Sequence, residues 1–194
     1  MTESTDHSEP RTQRPYDRRE LRSASSLVLV STGHGKGKST AAFGTVIRAV
    51  ARDWPAAVVQ FLKSGKWNTG EEKVCRSIGV DWFSAGDGFS WESDDLDESR
   101  AKAVAAWRFS AELIASGQHR LIVLDEISYP MSWGWIDPIE VATVLRERPA
   151  ETSVFLTGRE MAAEVVEVAD TVTEMVKVKH AFDEGIRARK GIDY

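Results

Sequence analysis

Short, continuous apolar runs alternate along the chain with longer stretches in which apolar residues recur every three or four positions. Leu27-Val28-Leu29-Val30 has the texture of a strand buried on both faces, where no polar side is required. Similar runs at 57–62, 80–83, 121–124 and 153–156 predict four more strands, and 171–178 is a sixth candidate. From 96 to 116, Val104, Trp107, Ala111 and Ile114 recur at helical steps, with Glu98, Arg100, Arg108 and Glu112 left for solvent. This predicts a long amphipathic helix. Shorter helices are predicted over 38–52, 71–78, 138–146 and 160–168, with Asp137 as an N-cap before Pro138 at the first helical position. Strand and helix in alternation imply β-α-β units, a mostly parallel central sheet and helices on both faces. The expected fold class is α/β, in a single domain.

The first 26 residues break this texture. They mix Glu3, Asp6, Glu9, Arg11, Arg14, Asp17, Arg18, Arg19, Glu20 and Arg22 with Pro10 and Pro15, and offer almost nothing to a core. A flexible charged tail over 1–26 and one folded domain over 27–194 are expected. The full chain has 194 residues, enough to bury roughly 70% of its unfolded surface. Its net charge of −5 gives no general attraction to nucleic acid or anionic membrane, and neither partner is expected. No apolar run approaches the roughly 18 residues of a membrane span, and the N-terminus lacks a signal-peptide pattern. The one cysteine, Cys75, excludes an internal disulfide framework and fits a reducing, cytoplasmic setting.

The first chemical signal follows the first strand. Thr32-Gly33-His34-Gly35-Lys36-Gly37-Lys38-Ser39-Thr40 opens a predicted helix, the context that a phosphate-binding loop requires. Glycines let successive N–H groups turn inward, the helix N-terminus adds positive potential, and Lys38 supplies a cation. Ser39 would offer its hydroxyl to Mg²⁺. The strict pattern has glycine at position 32, whereas this chain has Thr32 and its glycine one place later. A second signal is Leu121-Ile122-Val123-Leu124 running into Asp125-Glu126, carboxylates at a strand end where parallel sheets bind their ligands. Such acids serve as a Mg²⁺ site or, alternatively, as helix caps. Together the two motifs predict a nucleoside triphosphate without fixing the reaction, since a glutamate after the aspartate also suits an ATPase.

Two aromatic clusters remain. Gly86-Asp87-Gly88-Phe89-Ser90-Trp91 follows the third strand, and Trp133 and Trp135 lie in Ser128-Tyr129-Pro130-Met131-Ser132-Trp133-Gly134-Trp135. Either they face a broad apolar ligand or they pack as satellite clusters beneath loops.

At this point the chain resembles the P-loop ATP:corrinoid adenosyltransferases of cobalamin biosynthesis and salvage. The resemblance is carried by the 32–44 segment, Val59-Gln60-Phe61-Leu62-Lys63, Gly88-Phe89-Ser90-Trp91, Val123-Leu124-Asp125-Glu126, Thr157-Gly158-Arg159, Ala169-Asp170-Thr171-Val172-Thr173-Glu174, Val178-Lys179-His180-Ala181-Phe182-Asp183 and Gly191-Ile192-Asp193-Tyr194. These blocks occur in family order, and the displaced first glycine is itself a family feature. The resemblance implies a RecA-like P-loop NTPase fold. It further implies transfer of the 5′-deoxyadenosyl group from ATP to Co(I) of a reduced corrinoid, cobalamin or cobyrinic acid a,c-diamide, with release of triphosphate.

By matching positions, Gly33, His34, Gly35, Lys36, Gly37, Lys38, Ser39, Thr40 and Arg159 would bind ATP, with Lys38 acting on the leaving oxygen. Ser39, Glu126 and Asp125 would contact Mg²⁺ (or Mn²⁺), Asp125 either directly or through another ligand. Lys38, Glu126, Phe89 and Trp91 would be the catalytic set. Phe89 and Trp91 would face the corrin and displace its lower axial ligand, which brings Co(II) within reach of a biological reductant. A homodimer and a flavoprotein electron donor are the implied partners. Ser39 where Thr is common, Ser90 between the aromatics and the charged tail depart from the family pattern. A RecA-like ATPase gripping a macromolecule through the Phe89/Trp91 loop, and a nucleotide-binding protein without turnover, are the rival readings.

Overall fold

In the computed structural model, residues 21–64, 70–86 and 96–193 are described. The strands are β1 (Val28–Thr32), β2 (Ala56–Ser64), β3 (Asp81–Gly86), β4 (Leu121–Asp125), β5 (Ser153–Thr157) and β6 (Thr171–Glu174). The helices are α1 (Lys38–Val50), α2 (Gly70–Ser77), α3 (Leu96–Ala115), α4 (Ser128–Ser132), α5 (Pro138–Glu147) and α6 (Ala163–Val168), followed by a 3-10 turn at Ala181–Glu184. The strands form one sheet in the order β3-β2-β4-β5-β1-β6, and every pairing is parallel. The mostly parallel expectation thus becomes wholly parallel among the described residues.

Alternation along the strands divides the core in two. Ala57, Val59 and Phe61 of β2, with Ile122 and Leu124 of β4, pack against Trp107 and Ile114 of α3, Val141 and Leu145 of α5, and Val165 of α6. Ala56 and Val58, with Leu121 and Val123, face the other way onto Ala42, Phe43 and Val46 of α1 and Cys75 of α2. Both sheet faces are therefore covered, which is why these strands read as unbroken apolar runs. On the second face the rings of Phe43 and Trp82 lie 5.3 Å apart, and each large side chain buried there contributes about 1.5–3 kcal/mol. On the first, the Trp107 indole N–H donates to Glu140 Oε1 at 2.8 Å, tying α3 to α5.

Two predicted boundaries move. Helix α6 begins at Ala163 and not at 160, because Glu160 has φ 51° and the Met161 N–H donates to the Thr32 hydroxyl, not to a helical carbonyl. Strand β6 ends at Glu174 and not at 178, since Met175 donates to the Thr32 carbonyl and its own carbonyl accepts the Gly35 N–H. The predictions also lacked α4, a helix of five residues too short to establish a periodicity.

Candidate nucleotide and corrinoid site

Because β5 lies between β1 and β4, three strand ends converge at the carboxyl edge of the sheet. Strand β1 delivers the 33–37 loop, β4 delivers Asp125 and Glu126, and β5 delivers Thr157, Gly158 and Arg159. This edge is the candidate site.

Helix α1 begins without a side-chain cap and without an acidic residue in its first turn, so its N-terminal dipole is not offset from within the helix. Gly37 occupies the cap position at φ 119°, a conformation that favours glycine. Gly35 is needed for a different reason. A Cβ there would lie 2.7 Å from the Met175 carbonyl oxygen, which accepts the Gly35 N–H at 2.6 Å. Lys38 folds back across the loop, and its ammonium donates to the Gly33 and Gly35 carbonyls at 2.7 Å each. Burial lowers its pKa, the Arg159 guanidinium lowers it further, and Glu126 opposes them. Lys38, Arg159 and Glu126 thus share one electrostatic environment. Ser39 and Thr40 follow in the first turn of α1, Ser39 half-buried and Thr40 exposed.

Asp125 is completely buried. Its Oδ2 accepts the Gln60 amide at 3.0 Å and its Oδ1 accepts the Thr157 hydroxyl at 2.7 Å. That hydroxyl in turn accepts the Glu126 N–H at 3.0 Å, where Glu126 adopts φ 64°. Strained non-glycine backbone of this kind persists only where its surroundings determine it. The result is an aspartate committed to holding two strand ends and a half-buried Glu126 beside it.

The chain after β6 returns over the phosphate loop. Lys36 pairs with Asp193, whose other oxygen accepts the Arg189 N–H at 2.7 Å; that bond first, then Lys36, holds the Asp193 carboxyl below its ordinary pKa. His34, Arg159, Lys177, His180, Phe182 and Asp183 line a cavity of about 480 Å³ beside the loop. His34 also approaches Glu160 at 3.7 Å.

Several participants carried no assigned role in the sequence reading. Gln60 and Thr157 lay in recognised blocks, but their contacts with Asp125 depend on strand order. Tyr129, on α4, is a half-buried phenol whose pKa is raised chiefly by burial; Arg159 opposes this, and Glu126 and Glu160 add to it. Its ring lies 5.9 Å from that of Trp133, which lies 4.6 Å from Trp135, so this aromatic cluster adjoins the carboxylates. Phe89 and Trp91 lie outside the described residues, as do residues 1–20 of the expected tail.

Two hard oxygen donors belong to elements that open on this edge, the Ser39 hydroxyl in the first turn of α1 and the Glu126 carboxylate immediately after β4. Among the described residues no group of three or more His, Cys, Asp or Glu could hold a metal by itself. Magnesium, which takes one or two protein ligands together with phosphate oxygens and water, fits such a donor set. No helix among the described residues is long and apolar enough to cross a membrane.

A family model described as ATP:corrinoid adenosyltransferase BtuR/CobO/CobP matches residues 24–194. The chain is 37% identical to the corrinoid adenosyltransferase CobA of Salmonella typhimurium, over 98% of this chain and all of that one. It is 42% identical to a corrinoid adenosyltransferase of Pseudomonas aeruginosa, over 90% of this chain and 87% of that one. A corrinoid adenosyltransferase of Escherichia coli is 39% identical over 87% and 85%. Among solved structures, a KaiC-like protein from Pyrococcus horikoshii superposes with a TM-score of 0.50 at 16% identity, covering 78% of this chain and 73% of that one. That likeness concerns the fold alone.

Proposed function

Since the chain belongs to the ATP:corrinoid adenosyltransferase family, we propose that the carboxyl edge of its sheet is where the adenosyl group of ATP passes to a corrinoid. The enzyme is a corrinoid adenosyltransferase; the residue assignments that follow are our reading. Co(I) of the reduced corrinoid attacks C5′ of ATP, the C5′–O bond breaks, and its electron pair leaves on triphosphate. Charge grows on the leaving oxygen, so catalysis needs cations fixed in advance at that end. Lys38 and Arg159 supply them, and the Gly33–Gly37 backbone and Thr40 hold the phosphates at the helix N-terminus.

The observation that carries this reading is the convergence of the β1, β4 and β5 ends, which puts the uncapped start of α1 with Lys38, the Glu126 position after β4 and the Arg159 turn after β5 on one edge of the sheet. Lys38 must exchange the Gly33 and Gly35 carbonyls for phosphate oxygens, a replacement of neutral acceptors by charged ones that favours binding. Ser39 and Glu126 would hold Mg²⁺, which when bound offsets triphosphate charge. Asp125, with both oxygens occupied by Gln60 and Thr157, serves to orient Glu126. Phe89 and Trp91 are assigned to the corrin face, where apolar walls keep protons from Co(I). A homodimer, a flavoprotein donor and a cytoplasmic setting complete the proposal. The family match favours this reading over an ATPase directed at a macromolecule.

Titration calorimetry with MgATP tests the roles. Lys38→Ala is expected to weaken binding about tenfold or more, the scale of one charge-assisted contact. Trp91→Ala is expected to bind ATP within about twofold of the unaltered protein while losing adenosylation of Co(II) corrinoid under a mild reductant. Equal loss of ATP affinity in both variants would contradict the division of labour.

A further inference from the structure

Thr32 stands where the strict phosphate-loop pattern has glycine, and the structure gives its side chain a task. Arg159 is exposed and sits in a turn of unusual backbone, between Gly158 at φ 144° and Glu160 at φ 51°. A long exposed side chain reaches a fixed point only if its backbone is fixed, and strained turns need outside determination. Three contacts determine this one. The Gly158 N–H donates to the Ser31 carbonyl at 3.2 Å, and the Met161 N–H donates to Thr32 Oγ1 at 3.1 Å. Ser128, 1% exposed and with a hydroxyl lacking a hydrogen-bond partner, fills the space beside Gly158, where a Cβ would lie 2.0 Å from its Oγ. The first contact uses backbone alone and is available to any residue at 31. The second requires a hydroxyl at position 32, which glycine lacks.

Thr32 is also joined to the opposite side of the loop. Its carbonyl accepts the Met175 N–H at 2.8 Å, and Met175 in turn accepts the Gly35 N–H. The last residue of β1 therefore links the Arg159 turn, the phosphate loop and the chain leaving β6. His34 from the loop and Arg159 from the turn line the same cavity.

We infer that Thr32 is a positioning residue for adenosyl transfer: by accepting the Met161 N–H, its hydroxyl fixes the 158–161 turn and holds Arg159 in register with the phosphate loop. The inference rests on the proposed role of Arg159 at the triphosphate.

A double-mutant cycle in kcat/KM for ATP, with reduced cobalamin as acceptor, tests it. Thr32→Val keeps the shape, removes the acceptor and is expected to lower kcat/KM about tenfold. Thr32→Ser, which restores the hydroxyl, is expected to stay within about threefold of the unaltered enzyme. In an Arg159→Ala background the same Thr32→Val change is expected to cost less than about twofold, because the side chain it positions is gone. A full tenfold loss in that background, or a Thr32→Ser enzyme as slow as Thr32→Val, would overturn the inference while leaving the role of Arg159 intact. An Arg159→Ala enzyme with undiminished kcat/KM would overturn the role of Arg159 itself, and the inference with it. If Thr32→Val does not fold, Thr32→Ala, free of the buried methyl in place of the hydroxyl, carries the same cycle.

Discussion

One hydroxyl, that of Thr157, serves two strand ends, donating to Asp125 and accepting from the Glu126 N–H. Both partners are drawn out of bulk water, so losing this group is costly. Thr157→Val is expected to destabilise the protein by about 2 kcal/mol, the range for stripping a buried polar group of its partner. Thr157→Ser should recover most of that. Urea unfolding measures both, and a loss below about 0.5 kcal/mol in Thr157→Val would show that the bridge is dispensable. At this scale, the placement of contiguous motifs was legible in the sequence: Lys38 and Ser39 open α1, Asp125 ends β4 with Glu126 next to it, and Arg159 follows β5. Gln60 and Thr157 were not, because their bonds to Asp125 span 65 and 32 positions and exist only once the strands are ordered.

The elements themselves were legible where one signal controlled the outcome. Asp137 was predicted to cap a helix that starts at Pro138, and its Oδ1 accepts the Ile139 N–H at 2.9 Å. Asp137→Ala should cost about 1 kcal/mol, a lowering of Tm by about 2–4 °C for a chain of this size. A thermal melt unchanged by the substitution would contradict the cap. Boundaries failed where tertiary contacts outbid local preference. Residues 160–162 have helical composition, yet the Met161 N–H is taken by the Thr32 hydroxyl; beyond Glu174, the Met175 N–H donates to the Thr32 carbonyl at the end of β1 and its carbonyl accepts the Gly35 N–H of the phosphate loop. These shifts occur at the carboxyl edge of the sheet, the edge proposed for the chemistry.

Across the whole molecule, the covered parallel sheet followed from the order of apolar runs, because strands buried on both faces and separated by amphipathic helices admit few arrangements. What the sequence left open was the strand order, and with it the convergence of β1, β4 and β5. The return of the C-terminal chain over the loop was equally hidden, since the pairing of Lys36 with Asp193 joins positions 157 apart. These long-range placements bring the uncapped start of α1, the carboxylates and Arg159 to one edge, the edge we propose for adenosyl transfer. The most direct test is anaerobic incubation with MgATP and chemically reduced cobalamin, following the light-sensitive Co–C product by absorbance and the phosphorus products by NMR. Adenosylcobalamin formed in step with inorganic triphosphate is the predicted result, whereas ADP and phosphate released independently of the corrinoid would contradict the account.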